Sequence, residues 1–273
     1  MSEALNAAVA ALMREAAERA ILPRWRALAA HEIVSKASGG ALPDVVTIAD
    51  NEAEAILGDG LARLMPEAAI VGEEAAHADP AVLDRLAQGL CWVIDPLDGT
   101  HNFAVGEAPF GILIALADRG VTQAGWLYDG LSGRVCRAEL GKGAWVGDER
   151  IVARTTRQTP PVVANSLVYM SPAKRAAVQA QIAPYYTLVD IPRCAAEQYP
   201  RLVLGQNDLA IFERTLPWDH AAGVLFVNEA GGKAARPDGS AYRLDDHARP
   251  GLIGAASEAM WEELAARLNA LEV

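Results

Sequence analysis

The chain has 273 residues, 52% of them hydrophobic, enough to bury a substantial core as one large domain or two intimately packed halves. Its 24 basic and 35 acidic side chains give a formal charge of −11, which argues against a nucleic-acid partner and means that any phosphorylated small molecule must be received by bound cations or clustered donors. Three cysteines at wide spacing (Cys91, Cys136, Cys194) offer neither a disulfide framework nor a zinc pattern, and no apolar run reaches the roughly 18 residues of a membrane span, so a soluble cytoplasmic protein is expected.

Leu5, Val9, Leu12 and Ala16 recur at helical spacing, which predicts an amphipathic helix ending near Pro23 or Trp25; Arg14, Glu15, Glu18 and Arg19 interrupt it too often for an export signal. Ile33 to Pro43 contains Ser-Lys-Ala-Ser-Gly-Gly and reads as a loop or loose hairpin, in which Lys36 is either a phosphate contact or a solvated lysine. Asp50 stands where an N-cap would precede a helix over Glu52 to Met65.

Two short apolar runs, Ile70-Val71 and Cys91 to Ile94, end abruptly in Glu73-Glu74 and in Asp95, as buried strands delivering carboxylates at their ends would do. Further strands are predicted over Phe110 to Ala117, Val121 to Tyr128 and Gly143 to Val146. Beyond Arg150 strands and helices alternate: strand 162–164, helix 173–181, strand 188–191, helix 195–204, strand 209–212, a helix from about Trp218, strand 252–253 and a helix over 257–271. The expectation is two subdomains, 1–150 and 151–273, sharing one site.

The chemistry concentrates in Asp95-Pro96-Leu97-Asp98-Gly99-Thr100. Pro96 has no N–H, so the chain is expected to leave the sheet just after Asp95 and to swing Asp98 back to the same side. Gly99 permits close backbone approach, and a helix starting at Thr100 would offer free N–H groups to a phosphate. Glu73 and Asp219, the latter opening a helix in Pro217-Trp218-Asp219, are the further acids needed to hold a pair of divalent ions about 3.5–4 Å apart. Oxygen donors without clustered Cys or His select Mg²⁺, Mn²⁺ or Ca²⁺ over Zn²⁺. His101 and His220 lack ligand spacing and are expected to stay off the metal, Glu74 to lie behind the site, and Trp218 to pack.

Gly72-Glu73-Glu74, Asp95 to Thr100 with Asn102-Phe103, and Trp218-Asp219 with Glu229-Ala230-Gly231-Gly232 resemble, in order and spacing, the three signatures of the inositol monophosphatase family. The resemblance implies a layered αβαβα fold shared with fructose-1,6-bisphosphatase, Mg²⁺ dependence with two or three ions, lithium inhibition and a homodimer. It places Glu73, Asp95 and the Leu97 carbonyl around one ion, and Asp95, Asp98 and Asp219 around a second, with a weaker third near Glu73. Thr100 takes the place of a water-orienting hydroxyl with Asp50 as its partner, because Val46-Thr47-Ile48-Ala49-Asp50 resembles the family's short motif there. Glu73, Thr100 and Asp50 are thus the catalytic candidates, in a direct attack of water with no phosphoenzyme.

Gly99, Thr100, Arg193, Ala195 and Glu213 are the candidate substrate contacts. In this stretch the chain departs from the inositol-specific pattern. Arg193-Cys194-Ala195-Ala196-Glu197 replaces a Gly-Ser/Thr-Ala-Ala run, and Glu213 lies six positions before Asp219 where the family's inositol-contacting glutamate lies seven before. On a strand that offset reverses a side chain's facing. Inositol 1-phosphate leads the expected substrates, with histidinol phosphate, a sugar bisphosphate and an adenosine bisphosphate open, and a non-catalytic regulatory protein on the same fold as the other class. A haloacid-dehalogenase-type phosphatase is disfavoured, because its two aspartates stand two apart and Asp95 and Asp98 stand three apart.

Overall fold

The computed structural model describes residues 1–36 and 44–271. Helix α1 (Glu3–Ala16) is capped by Ser2, and a π turn and a 3-10 turn carry it to Arg24, where the sequence places its end. Strands β1 (Ile33–Lys36) and β2 (Asp44–Thr47) pair antiparallel. The remainder of the expected loop, 37–43, lies outside the described residues, as does the Lys36 side chain.

Helix α2 (Ile48–Leu64) corrects the expected cap. Thr47 is the N-cap, and Asp50 is the third helical residue of a capping box: its Oδ2 accepts the Thr47 N–H at 2.7 Å and the Thr47 hydroxyl at 2.6 Å.

The chain then builds a seven-stranded sheet. Strand β3 (Ala69–Gly72) leads into helix α3 (Glu73–Ala78), and β4 (Leu90–Asp98) into the one-turn helix α4 (Thr100–Ala104). Strands β5 (Gly111–Asp118), β6 (Val121–Asp129), β7 (Val135–Glu139), β8 (Gly143–Val146) and β9 (Glu149–Ile151) complete it in chain order, parallel between β3 and β4 and antiparallel beyond.

A five-stranded sheet follows. Its elements are β10 (Val162–Ser166), helix α5 (Pro172–Ile182), β11 (Thr187–Asp190), helix α6 (Ala195–Val203), β12 (Leu209–Phe212), helix α7 (Pro217–Glu229), β13 (Lys233–Ala235), β14 (Leu252–Ala255) and helix α8 (Glu258–Asn269). The strand order is β11-β10-β12-β14-β13, with β10 parallel to both neighbours. Strands β7, β9 and β13 were not expected from the sequence.

Strand alternation divides the core into layers. Trp92 and Ile94 of β4, with Ile112 and Ile114 of β5, meet Val9, Met13, Ala53 and Leu57 of α1 and α2. Cys91 and Val93, on the opposite face, meet Leu202 of α6 and Leu225 and Val227 of α7, and these same helices also cover Ala164, Ala210 and Ala234 of the second sheet. The far face of that sheet, Val163, Leu209, Ile211 and Ile253, packs on Val178, Trp261 and Leu264 of α5 and α8. The fold is therefore a layered αβαβα sandwich.

The middle layer is tight enough to require glycine. A Cβ at Gly125 of β6 would lie 2.6 Å from Ala222 Cα of α7, and one at Gly223 would fall 1.9 Å from the Tyr199 ring of α6. Glu229 ties the far end of α7 to the first sheet by accepting the N–H groups of Gly141 and Gly143 at 2.7 and 2.8 Å.

Candidate metal centre and active site

Strand β4 delivers two acids by a route different from the expected one. It does not leave the sheet after Asp95: Asp95 pairs with Leu113 and Asp98 with Gly111, so three steps on β4 match two on β5. The extra residue is a β-bulge, which accommodates Pro96 within the strand. Ordinary alternation would put residues three apart on opposite faces. With the bulge, Ile94 and Leu97 both face α1 and α2, and Asp95 and Asp98 both line the cavity on the other side.

Glu73 is the first residue of α3, directly after β3. Its junction is held by a residue the sequence reading passed over. Glu54 of α2 accepts the N–H of Glu74 at 2.8 Å and of Ala75 at 2.9 Å, satisfying two of the donors that a helix start leaves open. The carboxylate sits so close that a Cβ on Gly72 would lie 2.3 Å from its Cδ. Asp50 and Glu54, four apart, share one face of α2, a spacing that was the available signal. Should the cluster hold a divalent cation, Glu54→Gln is expected to weaken its binding about 10- to 100-fold, the usual cost of losing a group that orients a ligand. Calorimetric Mg²⁺ titration of the folded variant checks this.

Asp219 enters from the other half of the chain as the third residue of α7, where the positive end of the helix favours a carboxylate. Carboxylate oxygens of Glu73, Asp95 and Asp219 lie within 4.8 Å of one another, the one such group of potential ligands among the described residues. Asp98 lies beside them with Oδ2 committed to the N–H of Ala196 at 2.6 Å, so it also fixes the start of α6. The Leu97 carbonyl accepts the Thr100 hydroxyl at 2.7 Å.

So many carboxylates in one place are costly without cations. Burial, reinforced by Glu73, Asp98 and Asp219, pushes the Asp95 carboxyl well above its ordinary range. Asp219 is pushed up to about 8, chiefly by burial and then by Glu73, with Arg214 offsetting part of the rise. Asp50 is pushed up to about 7 by burial against the hydrogen bonds of Thr47. Hard oxygen donors, convergence within a few ångströms and unbalanced negative charge fit a site for Mg²⁺-like ions.

The cluster floors a cavity of about 150 Å³. Gly99, in left-handed backbone at φ 80°, and Thr100 form part of its wall, and Thr100 Oγ1 also lies 3.0 Å from Asp50 Oδ1. Arg193 and Ala195 line the wall as well. Glu213 does not: its Oε1 accepts a hydrogen bond from Lys174 Nζ at 2.6 Å beside a separate cavity of about 280 Å³ near α5 and α8. The seventh position before Asp219 is Phe212, stacked on Tyr199 at 5.4 Å. Arg214, next to Glu213, faces the site instead.

His220 touches the cavity as a neutral ring. Its Nδ1 accepts from the Tyr199 hydroxyl at 2.6 Å while Nε2–H donates to the Arg214 carbonyl at 3.0 Å, and burial lowers its pKa to about 3. Trp218 is buried, and all three cysteines are buried thiols. No helix among the described residues is long and apolar enough to cross a membrane.

Fold and site together define a layered αβαβα protein with a carboxylate centre suited to divalent cations at the meeting of its two sheets. The chain belongs to the inositol monophosphatase family, whose model it matches over residues 1–272. It is 32% identical to an inositol-1-monophosphatase of Mycobacterium leprae over 247 residues, covering 85% of this chain and 83% of that one. It is equally 32% identical to the Nus factor SuhB of Escherichia coli over 194 residues, 69% of this chain and 70% of that one. Among solved structures, extragenic suppressor protein suhB from Bartonella henselae superposes with a TM-score of 0.81 at 24% identity over 98% of this chain and 99% of that one, a likeness of fold.

Proposed function

We propose that the protein is a Mg²⁺-dependent phosphatase that hydrolyses a small phosphate monoester by direct attack of water. The observation that carries this reading is the convergence of Glu73, Asp95 and Asp219, from both halves of the chain, within 4.8 Å in a cavity that also exposes Thr100. Glu73, Asp95 and the Leu97 carbonyl would hold one ion, and Asp95, Asp98 and Asp219 another. Bound there, the ions supply Lewis acidity to the phosphoryl oxygens and lower the pKa of water.

The chain's own groups do the rest. Thr100 and Asp50 form the pair that orients the attacking water: the hydroxyl lies 3.0 Å from the Asp50 carboxyl, which can accept its proton. Thr47 holds that carboxyl from behind. Gly99 and the Thr100 backbone receive the phosphate, and Arg193 and Ala195 meet the alcohol part. Inositol 1-phosphate remains a candidate substrate, with histidinol phosphate, a sugar bisphosphate and an adenosine bisphosphate beside it; Glu213 drops out as a polyol contact. Lithium inhibition, a homodimer and a cytoplasmic setting belong to the same reading.

Thr100→Ala is expected to lower kcat by about 10²-fold, less than loss of a shared ligand, because it removes a proton-handling hydroxyl and leaves the cation site standing. Phosphate release by purified Thr100→Ala and Asp95→Asn, compared side by side, tests the order; a larger loss for Thr100→Ala contradicts the water-orienting role.

A non-catalytic role on the same fold is the second reading, favoured by relatives that carry the name Nus factor. Under it, a cellular phenotype of the protein would survive Asp95→Asn.

A further inference from the structure

We propose that Arg214 and Arg193 form a second anion subsite in this cavity, selecting phosphate esters whose alcohol part carries another phosphate or a carboxylate. This rests on the phosphatase reading above and names its substrate class.

The residue types on the wall motivate it. In a chain of net charge −11, two guanidinium groups line the cavity floored by the acid cluster. Arg214 is partly buried, with its Cζ 4.4 Å from the Tyr169 ring centroid, and Tyr169 lines the cavity too. A guanidinium carries its N–H donors in its own plane, in a fork that can grip an anion at two points.

Arg193 stands on another part of the wall. It takes left-handed backbone, φ 54°, between Ile191 and Cys194, both of which line the cavity, and its charge helps lower the pKa of His101. The helix that follows is pinned by Asp98 through the Ala196 N–H, so the turn carrying Arg193 has a fixed base.

The same stretch of wall presents a cation and not the adjacent carboxylate. Glu213 is bonded to Lys174 outside the cavity, while its neighbour Arg214 lines it. A cation in place of an acceptor favours an anionic group over a hydroxyl. A neutral alcohol would have to desolvate the guanidinium groups with no opposite charge in return.

The test uses matched esters with and without a second anion: fructose 1,6-bisphosphate against fructose 1-phosphate, 3-phosphoglycerate against glycerol 3-phosphate, and adenosine 3′,5′-bisphosphate against adenosine 3′-phosphate. Phosphate release with Mg²⁺ is expected to favour the two-anion member of at least one pair by about tenfold or more in kcat/KM, as one charge-assisted bidentate contact allows. In Arg214→Met that ratio should fall to near one, and Arg214→Lys should keep part of it. No preference in any pair, or an Arg214→Met loss that leaves the ratio unchanged, overturns the subsite. If the protein hydrolyses none of the six, binding of the same pairs is measured by calorimetry with Ca²⁺. Tighter binding of a two-anion member that Arg214→Met abolishes then upholds the subsite, and the phosphatase reading is removed only if inositol 1-phosphate and histidinol phosphate also go unhydrolysed; equal binding, or none, overturns the subsite.

Discussion

Asp95→Asn is expected to reduce Mg²⁺-dependent phosphate release by on the order of 10³-fold while the protein stays folded. Asp95 is the acid that the proposed reading assigns to both ions, and its carboxyl is buried among Glu73, Asp98 and Asp219. The amide keeps the shape of the side chain and one oxygen acceptor, and removes the charge that would draw a cation. The same substitution relieves like-charge repulsion, so metal-free Asp95→Asn should unfold at a higher temperature than the metal-free wild type. Mg²⁺ should then raise its Tm by less. Thermal scans with and without EDTA, run beside phosphate release, check both parts. Lost activity with a lowered metal-free Tm would point to damaged packing and not to a missing ligand.

The second large effect is a dependence of stability on pH that Mg²⁺ removes. In the metal-free native protein burial pushes Asp219 up to about 8 and Asp50 up to about 7, against 3.8 for the ordinary carboxyl. Below about pH 4 both carboxyls are protonated whether the chain is folded or unfolded, and they favour neither state. As pH rises, the unfolded chain releases these protons first, so the native state binds more protons and loses stability until pH passes the folded values near 7 to 8. A tenfold difference in proton affinity between the folded and unfolded chain corresponds to about 1.4 kcal/mol, so the loss between pH 5 and 8 is of the order of a few kcal/mol. That is on the order of 10 °C or more in Tm for a chain of this size. Divalent cations bind the ionised carboxylates, so the Tm rise produced by Mg²⁺ should be small at pH 5 and large at pH 8. A rise of equal size at both values would mean that the cluster is not where the cation binds.

The acids of the site were legible because buried strands that end abruptly in carboxylates are unusual: Val71-Gly72-Glu73 and Ile94-Asp95 announce their ends in the sequence. The αβαβα layering was expected from the family resemblance and follows in the structure from strand alternation and from helices with apolar faces on both sides, as in α7. What was not legible depends on neighbours distant in the chain. The bulge at Pro96 is a register between β4 and β5, and no local pattern in Asp95-Pro96-Leu97-Asp98 reveals that the strand continues. Asp50 was misplaced as a cap because Thr47 and Asp50 are both good helix-start residues, and reciprocal bonding decides between them. Strands β7, β9 and β13 escaped because Val-Cys-Arg-Ala-Glu, Glu-Arg-Ile and Lys-Ala-Ala are short or carry charges, and take their strand form from sheet partners. Glu54 looks like any solvated helix residue until α3 is seen to begin against it.

The neighbouring residues Glu213 and Arg214 show how a single step of facing changes a site's chemistry. Sequence spacing already marked Glu213 as one position out of place. The structure turns that offset into an exchange, with the acid paired to Lys174 and the cation set against Tyr169 at the cavity wall.

The measurement that bears most directly on the account is phosphate release by the purified wild-type protein from inositol 1-phosphate, histidinol phosphate, fructose 1,6-bisphosphate and adenosine 3′,5′-bisphosphate, each with Mg²⁺ and with EDTA. Release from at least one ester with Mg²⁺, abolished by EDTA and by Asp95→Asn, is the expected result. Release that persists undiminished in EDTA, or no release from any of the four by folded protein shown to bind Mg²⁺, would contradict it.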